Sequence, residues 1–278
     1  MSDAVLLTVA AVGAELTREQ QPNLPISPED LARDARACED SGASIYHLHV
    51  RDYEGRPTMD VARFREALDA IRSASNLIVQ FTSGGDVGDT ADERIAPLEL
   101  RPDMATLTTG TVNFADAVFF NPPWLIQAFY ERMRSLGIVP EFEIFDSGMI
   151  ANALIVAGEE PDHHLHLDLV LGVPGAMPAW EDSIDFLTNK LPEGATWSAT
   201  GIGRSHLLVT RQALERGGHV RTGFEDVRYF ARGELATSNA QLIARVAGMA
   251  AEAGRRVASP DEARAILGLT GSSGTLTP

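Results

Sequence analysis

The sequence predicts an α/β protein, a single (β/α)8 TIM barrel over residues 1–278. Three observations carry that prediction. Short apolar runs rich in β-branched residues alternate with amphipathic helical stretches along nearly the whole chain. About eight such units in roughly 250 residues is the size of a (β/α)8 barrel. The runner-up is an open doubly wound sheet, and no Gly-x-Gly-x-x-Gly follows the first run, which disfavours its dinucleotide-binding variant.

Strand one is expected at residues 6–12, ending at Gly13-Ala14-Glu15. A polar loop over 16–26, long for a βα connection, leads to Ser27-Pro28-Glu29-Asp30. There Ser27 can accept from free amides, Pro28 suits the first helical turn, and the acids suit the positive helix end. That helix stops near Gly42. Strand two is Ile45-Tyr46-His47-Leu48-His49-Val50-Arg51-Asp52. A helix after Asp60 has Phe64, Leu68 and Ile71 on one face. Strands three to eight are expected at 77–81, 104–108, 139–145, 164–171, 196–200 and 219–224. Helices fall at 91–98, 123–136, 148–157, 180–190 and up to residue 216. Two C-terminal helices, 238–252 and 260–267, fill the span 238–268, and 271–278 reads as a disordered tail. No internal repeat or linker divides the chain.

With 44% apolar residues the chain can bury a large core. Its net charge of −16 argues against nucleic acid or an anionic membrane as a partner. An acidic substrate would therefore need local arginine or a metal. Cys38, the single cysteine, reads as a packing residue and suits a reducing cytoplasm. The N-terminus shows neither a signal peptide nor a membrane span.

In strand two, His47 and His49 share one face, because side chains alternate along a strand. Two imidazoles so placed can bind one zinc ion, although His-x-His alone also describes two hydrogen-bonded core histidines. The chain's other conspicuous polar residues fall at strand ends, where barrel chemistry sits. They are Glu15 after strand one, Thr82 and Ser83 after strand three, and Thr106 and Thr108 in strand four. Glu143 lies in strand five; Arg221, Glu225 and Asp226 close strand eight. Strand eight adjoins strand one and strand one adjoins strand two, so Glu225 can reach the histidines. Two histidines and one carboxylate leave open positions, as a catalytic zinc needs. His163, His164 and His166 stand at the amino end of strand six and read as surface or packing residues. Gly201-Ile202-Gly203-Arg204-Ser205-His206 could hold the phosphates of a nucleotide-bearing cosubstrate, or be an ordinary glycine turn.

Longer motifs add a resemblance. Ala11-Val12-Gly13-Ala14-Glu15-Leu16-Thr17-Arg18, His47-Leu48-His49-Val50-Arg51 with Gly55-Arg56-Pro57, and Gly217-Gly218-His219-Val220-Arg221-Thr222-Gly223-Phe224-Glu225-Asp226 resemble the β-keto acid cleavage enzymes. Leu171-Gly172-Val173-Pro174-Gly175 and Ser238-Asn239-Ala240-Gln241-Leu242 match as well, and the resemblance spans residues 6–267. It implies a zinc-dependent TIM barrel, usually a homotetramer, with zinc on His47, His49 and Glu225. It implies an Arg221–Asp226 pair for substrate deprotonation, a substrate contact at Thr106, and an acid, Glu15, for a distal amino group. Thr82 and Ser83 keep hydroxyls at two positions where a relative has serine and threonine. The reaction implied is acyl transfer with C–C cleavage: a β-keto acid and acetyl-CoA give acetoacetate and a new acyl-CoA. Glu15 favours an amino-substituted acid such as 3-keto-5-aminohexanoate of lysine fermentation, unless it caps a helix or pairs with Arg18. The alternatives are a zinc aldolase or hydrolase acting without CoA, a different keto acid, or a non-catalytic zinc-binding barrel.

Overall fold

In a computed structural model, which describes residues 3–86, 88–158, 161 and 163–269, eight parallel strands close into a barrel. They are β1 (Leu7–Ala10), β2 (Ile45–Leu48), β3 (Ile78–Phe81) and β4 (Met104–Thr108), followed by β5 (Val139–Ile144), β6 (His166–Leu171), β7 (Thr196–Gly201) and β8 (His219–Thr222). Each strand pairs with the next in sequence, and β8 closes the ring on β1. The register Arg221↔Thr8 and Ala10↔His47 links β8, β1 and β2. The tail at 271–278 lies outside the described residues.

Helices α1 (Pro28–Asp40), α2 (Val61–Ala74), α3 (Ala91–Ile95), α4 (Pro123–Leu136), α5 (Ser147–Ala157), α6 (Ser183–Thr188) and α7 (His206–Glu215) follow the first seven strands. The C-terminal pair is α8 (Asn239–Glu252) and α9 (Pro260–Ile266). Ser27 caps α1 as its residue type requires: its hydroxyl accepts from Asp30 N–H at 3.2 Å, and Asp30 accepts in return from Ser27 N–H. The helix stretch expected at 91–98 splits, because Pro97 cannot donate within a helix; α3 gives way to a 3-10 turn over Ala96–Leu100. The stretch expected at 180–190 is helical only over Ser183–Thr188.

Strand parity divides the barrel into two kinds of surface. Outward residues such as Val9, Tyr46, Leu48, Val79, Phe81, Leu107, Phe142 and Leu169 join the helices in one large apolar cluster. Inward residues at the amino ends, Leu6, Ile45, Ile78, Met104 and Val139, form a smaller cluster that Ala263 and Leu267 seal from below. Between that seal and the mouth the interior is polar. Gln80, Thr106, Glu141, His166 and Ser198 are buried there, with Asp168, Thr200 and Arg221. A barrel of this kind is more often filled by branched aliphatics. Its polar interior needs hydrogen-bonded partners to be tolerated, and it marks where the chemistry lies.

Three antiparallel hairpins were not expected from the sequence: Val50–Arg51 with Pro57–Thr58, Val112–Phe114 with Ala117–Phe119, and Tyr229–Ala231 with Glu234–Leu235. Two- and three-residue strands are too short to show a period of two. Among the described residues no helix is long and apolar enough to cross a membrane.

Candidate active site

The carboxyl ends of the strands open into a cavity of roughly 950 Å³. His47 and His49 enter it from β2 and the residue just past it. The two residues share a face, as strand alternation requires, and their ring centroids are 5.3 Å apart. Glu225 arrives from the loop after β8. Its Oε1 lies 3.7 Å from His47 Nε2 and its Oε2 lies 3.7 Å from His49 Nε2. The three residues can present one ligand atom each, all within 4.8 Å of one another.

Several features bring Glu225 to this place. Glu225 N–H donates to the Ala10 carbonyl at 3.1 Å, fastening the loop to the end of β1. Gly223 allows that approach, since a Cβ there would stand 2.0 Å from Ala10 O. Gly13, with φ at +64°, clears space on the other side; a Cβ would meet Glu225 Cγ at 2.7 Å. Asn239, at the start of α8, donates to Ala11 O at 3.1 Å and accepts from Phe224 N–H at 2.8 Å. The Ser238-Asn239-Ala240 motif thus holds the ligand-bearing loop against strand one.

The donor set fits a zinc ion on its own chemistry. His47 Nδ1–H donates to Gln80 Oε1 at 2.8 Å, which turns the Nε2 lone pair toward Glu225. Burial drives the His47 pKa down to about 3, so the ring is neutral and ready to ligate. Burial pushes the Glu225 carboxyl up, but Arg221 and the two histidines outweigh it and keep Glu225 ionised. Glu225 Oε2 is buried without a hydrogen-bond partner. Two neutral imidazoles and an ionised, partly unsatisfied carboxylate are what a divalent cation requires.

Arg221 is the hub beside this cluster. Its guanidinium bonds Asp226 through Nε at 3.2 Å and Nη2 at 3.0 Å, contacts Glu225 Oε1, and lies 3.5 Å from Glu143 Oε1. Burial would lower its pKa, but the surrounding carboxylates, Asp226 first, hold it protonated. Burial raises the Asp226 carboxyl above its usual range, Arg221 opposes this and Glu225 adds to it. Glu143 is raised to about 7 by burial, against Arg221 and the Thr108 hydroxyl, which donates to it at 2.5 Å. Asp168 accepts from Ser198 and Thr200 at 2.7 Å each beneath the pair. A carboxyl whose proton affinity is raised, in bonding contact with a fixed cation and beside a group of residues able to hold a metal, can take a proton from carbon.

Of the candidate site residues, Glu15, Thr82, His47, His49, Glu143, Arg221, Glu225 and Asp226 line the cavity. Arg18 pairs with Asp30 and the Leu24 carbonyl, leaving Glu15 at the mouth without that neutralising partner. Ser83, Thr106 and Thr108 are buried behind the wall. The Ser83 hydroxyl donates to Thr106 O at 2.6 Å, and the Thr108 hydroxyl serves Glu143. The histidine group of strand six stays together: His166 is buried 3.2 Å from Glu141 and shares the Thr196 hydroxyl with His164, while His163 meets the His164 carbonyl and the Tyr130 hydroxyl. Sequence reasoning missed Gln80 and Asp168. The available signal was a polar residue alternating with apolar ones in a strand. It also missed two hairpins that line the cavity, one through Phe114 and Phe119 and the other through Tyr229, Phe230 and Arg232, with Arg228 just before it.

Known proteins agree with this architecture. The profile of the beta-keto acid cleavage enzyme family matches residues 4–269. A 3-keto-5-aminohexanoate cleavage enzyme from Fusobacterium nucleatum is 43% identical over 272 residues, covering 97% of this chain and 99% of that protein. A 3-oxoadipate:acetyl-CoA acetyltransferase from Cupriavidus necator is 39% identical over 275 residues, covering 97% and 96%. The fold is shared with ObcA, solved as a ternary complex with a C4-CoA adduct and oxalate. That match has a TM-score of 0.77 at 18% identity, over 89% of this chain and 68% of the other. Fold, strand-end polar cluster and full-length similarity converge, and the chain belongs to the family of β-keto acid cleavage enzymes.

Proposed function

We propose that this enzyme cleaves a β-keto acid with acetyl-CoA as cosubstrate and zinc as its metal, releasing acetoacetate and a new acyl-CoA. The observation that carries this reading is the His47–His49–Glu225 cluster lying against the Arg221–Asp226 pair on the floor of one cavity. The names of the two relatives support it, one a 3-keto-5-aminohexanoate cleavage enzyme and the other an acetyl-CoA acetyltransferase.

Zinc held by His47, His49 and Glu225 would supply Lewis-acid polarisation of the substrate carbonyl. Asp226 takes the α-proton, and its bonds to Arg221 keep the carboxylate oriented toward the cavity. The carbanion left behind forms a C–C bond with the acetyl carbon of acetyl-CoA. The CoA thiolate departs and attacks the original keto carbonyl. The bond between that carbon and the α-carbon then breaks, and the proton held by Asp226 is available to the departing acetoacetate carbanion. Thr82 and Glu143 contact the substrate at the inner wall; Ser83, Thr106 and Thr108 act behind them by fixing that wall.

Glu15 at the mouth suits a substrate with a distal ammonium, which favours 3-keto-5-aminohexanoate, with 3-aminobutyryl-CoA as the acyl product. Glu15→Gln is expected to raise KM for the amino substrate about tenfold and leave a neutral keto acid within about twofold. Equal losses on both would remove Glu15 from specificity. The reading also places the enzyme in the cytoplasm, in lysine fermentation, as a homotetramer. Exposed Phe120, Trp124, Trp180 and Phe186 supply apolar surface for subunit contact.

The deciding experiment is product analysis with and without acetyl-CoA, before and after chelation of the metal. Acetoacetate and a new acyl-CoA should form together, only with acetyl-CoA and only with metal. Keto acid consumed without acetyl-CoA would point to aldol or hydrolytic cleavage instead.

A further inference from the structure

The cavity is electrically divided. Its carboxylates, Glu15, Glu143, Glu225 and Asp226, accompany the histidines and Arg221 at the strand ends. Four other arginines line the same cavity: Arg204 from the segment after β7, Arg228 and Arg232 from the segment after β8, and Arg245 from α8. These segments are tied together. Gly203 N–H donates to Asp226 O at 2.8 Å, and Arg245 Nη1 donates to Phe230 O. The nearby acids Glu225 and Asp226 pair with Arg221. Among the described residues none of the four arginines makes an ion pair with a carboxylate. Arg245 Nε and Nη2 are buried without hydrogen-bond partners, as is His206 Nδ1 beside the same cavity. The buried Arg245 nitrogens call for an acceptor, and three more arginines without an ion pair gather positive charge beside them in a chain of net charge −16, a setting that attracts an anion.

We propose that this arginine lobe binds the phosphates at the nucleotide end of the acyl-CoA cosubstrate, with the thioester reaching the zinc cluster at the strand ends. The proposal rests on the acetyl-CoA-dependent reading above. Guanidinium groups match phosphate oxygens in charge and fork geometry. The nucleotide end of CoA carries several phosphate charges, whereas the keto acid carboxylate carries one and belongs at the reacting centre. Tyr229, 42% exposed and with the Arg228 guanidinium 5.0 Å from its ring centroid, offers a flat face for the adenine.

The test uses the zinc-loaded enzyme, an Arg204→Ala/Arg232→Ala double variant and, as control, Arg33→Ala on the exposed face of α1. Both lobe residues are exposed, so folding should survive and circular dichroism will show it. Titration with 3′,5′-ADP, the nucleotide end alone, should show binding that the double variant weakens about tenfold or more. The KM for acetyl-CoA should rise similarly. The KM for the keto acid, kcat at saturation and turnover of acetylpantetheine, which lacks the nucleotide, should stay within about twofold. Inorganic phosphate should bind at least tenfold more weakly than 3′,5′-ADP. Unchanged nucleotide affinity in the double variant would overturn the proposal, and so would equal affinity for inorganic phosphate. A matching loss on acetylpantetheine would do the same. Should the wild type prove indifferent to acetyl-CoA, the functional reading fails, while the 3′,5′-ADP titration still judges the lobe separately.

Discussion

Arg221 holds three carboxylates within reach of one guanidinium, and that crowding sets the roles of its neighbours. Glu225 is held ionised and offers an unsatisfied oxygen, while the Asp226 proton affinity is raised. On the proposed reaction, two adjacent acids thereby take different duties, one as ligand and one as base. Asp226→Asn should lower kcat by about 10²- to 10⁴-fold with bound zinc unchanged by elemental analysis. A kcat within tenfold of the wild type would remove Asp226 from proton transfer. Gln80 acts at one remove, through the hydrogen bond that fixes the His47 ring. Replacing it with Leu should weaken zinc affinity about 10- to 100-fold, read by competition with a chelating dye. The two histidines were legible in the sequence because a strand's period of two puts them on one face. The partners Gln80 and Asp168 were not, because a polar residue in a strand gives no hint of what it faces across a barrel.

At the scale of elements, the site depends on how the loop after β8 lies on the end of β1. Glycine at 223 and the Ala10 carbonyl are in close approach, and Asn239 bonds both segments. Gly223→Ala would drive a methyl group into a backbone oxygen. It should cost about 1–3 kcal/mol in urea unfolding and weaken zinc binding together. Loss of stability with full zinc affinity would mean the loop does not position Glu225. The barrel strands and most helices could be read from apolar periodicity and from caps such as Ser27 and Asp60. The short hairpins could not be read, yet two of them line the cavity. Their strands are set by tertiary contacts such as Arg245 with the Phe230 carbonyl rather than by a repeating pattern.

Across the whole molecule, closure of the ring joins the first and last parts of the chain. Asp34 of α1 sits at that seam. It accepts from the Tyr46 hydroxyl at 2.9 Å and from Asn239 Nδ2 at 3.1 Å. Burial raises its pKa to about 6, against the bonds from Tyr46 and Asn239. The folded state therefore holds this proton more tightly than the unfolded chain. The resulting stability is fully present below the unfolded value near 4 and is lost as pH rises through about 6. Urea unfolding from pH 4.5 to 7.5 should show Asp34→Asn gaining on the wild type as pH rises, by at most roughly 3 kcal/mol. A constant difference across that range would show that Asp34 does not titrate there.

The sequence by itself determined the eight-fold alternation, the barrel class, the paired histidines and the acids at the strand ends, and its longer motifs pointed to the family. Those features are local: periods of two and 3.6 residues, capping chemistry and runs of neighbouring residues all lie within a short window. Only the tertiary structure decided that Glu225 meets the histidines at 3.7 Å, that the Thr108 hydroxyl serves Glu143, and that four arginines with no ion pair among the described residues share the cavity. Those outcomes depend on ring closure, which joins residues about two hundred positions apart, and no local pattern records which side chains will then face one another.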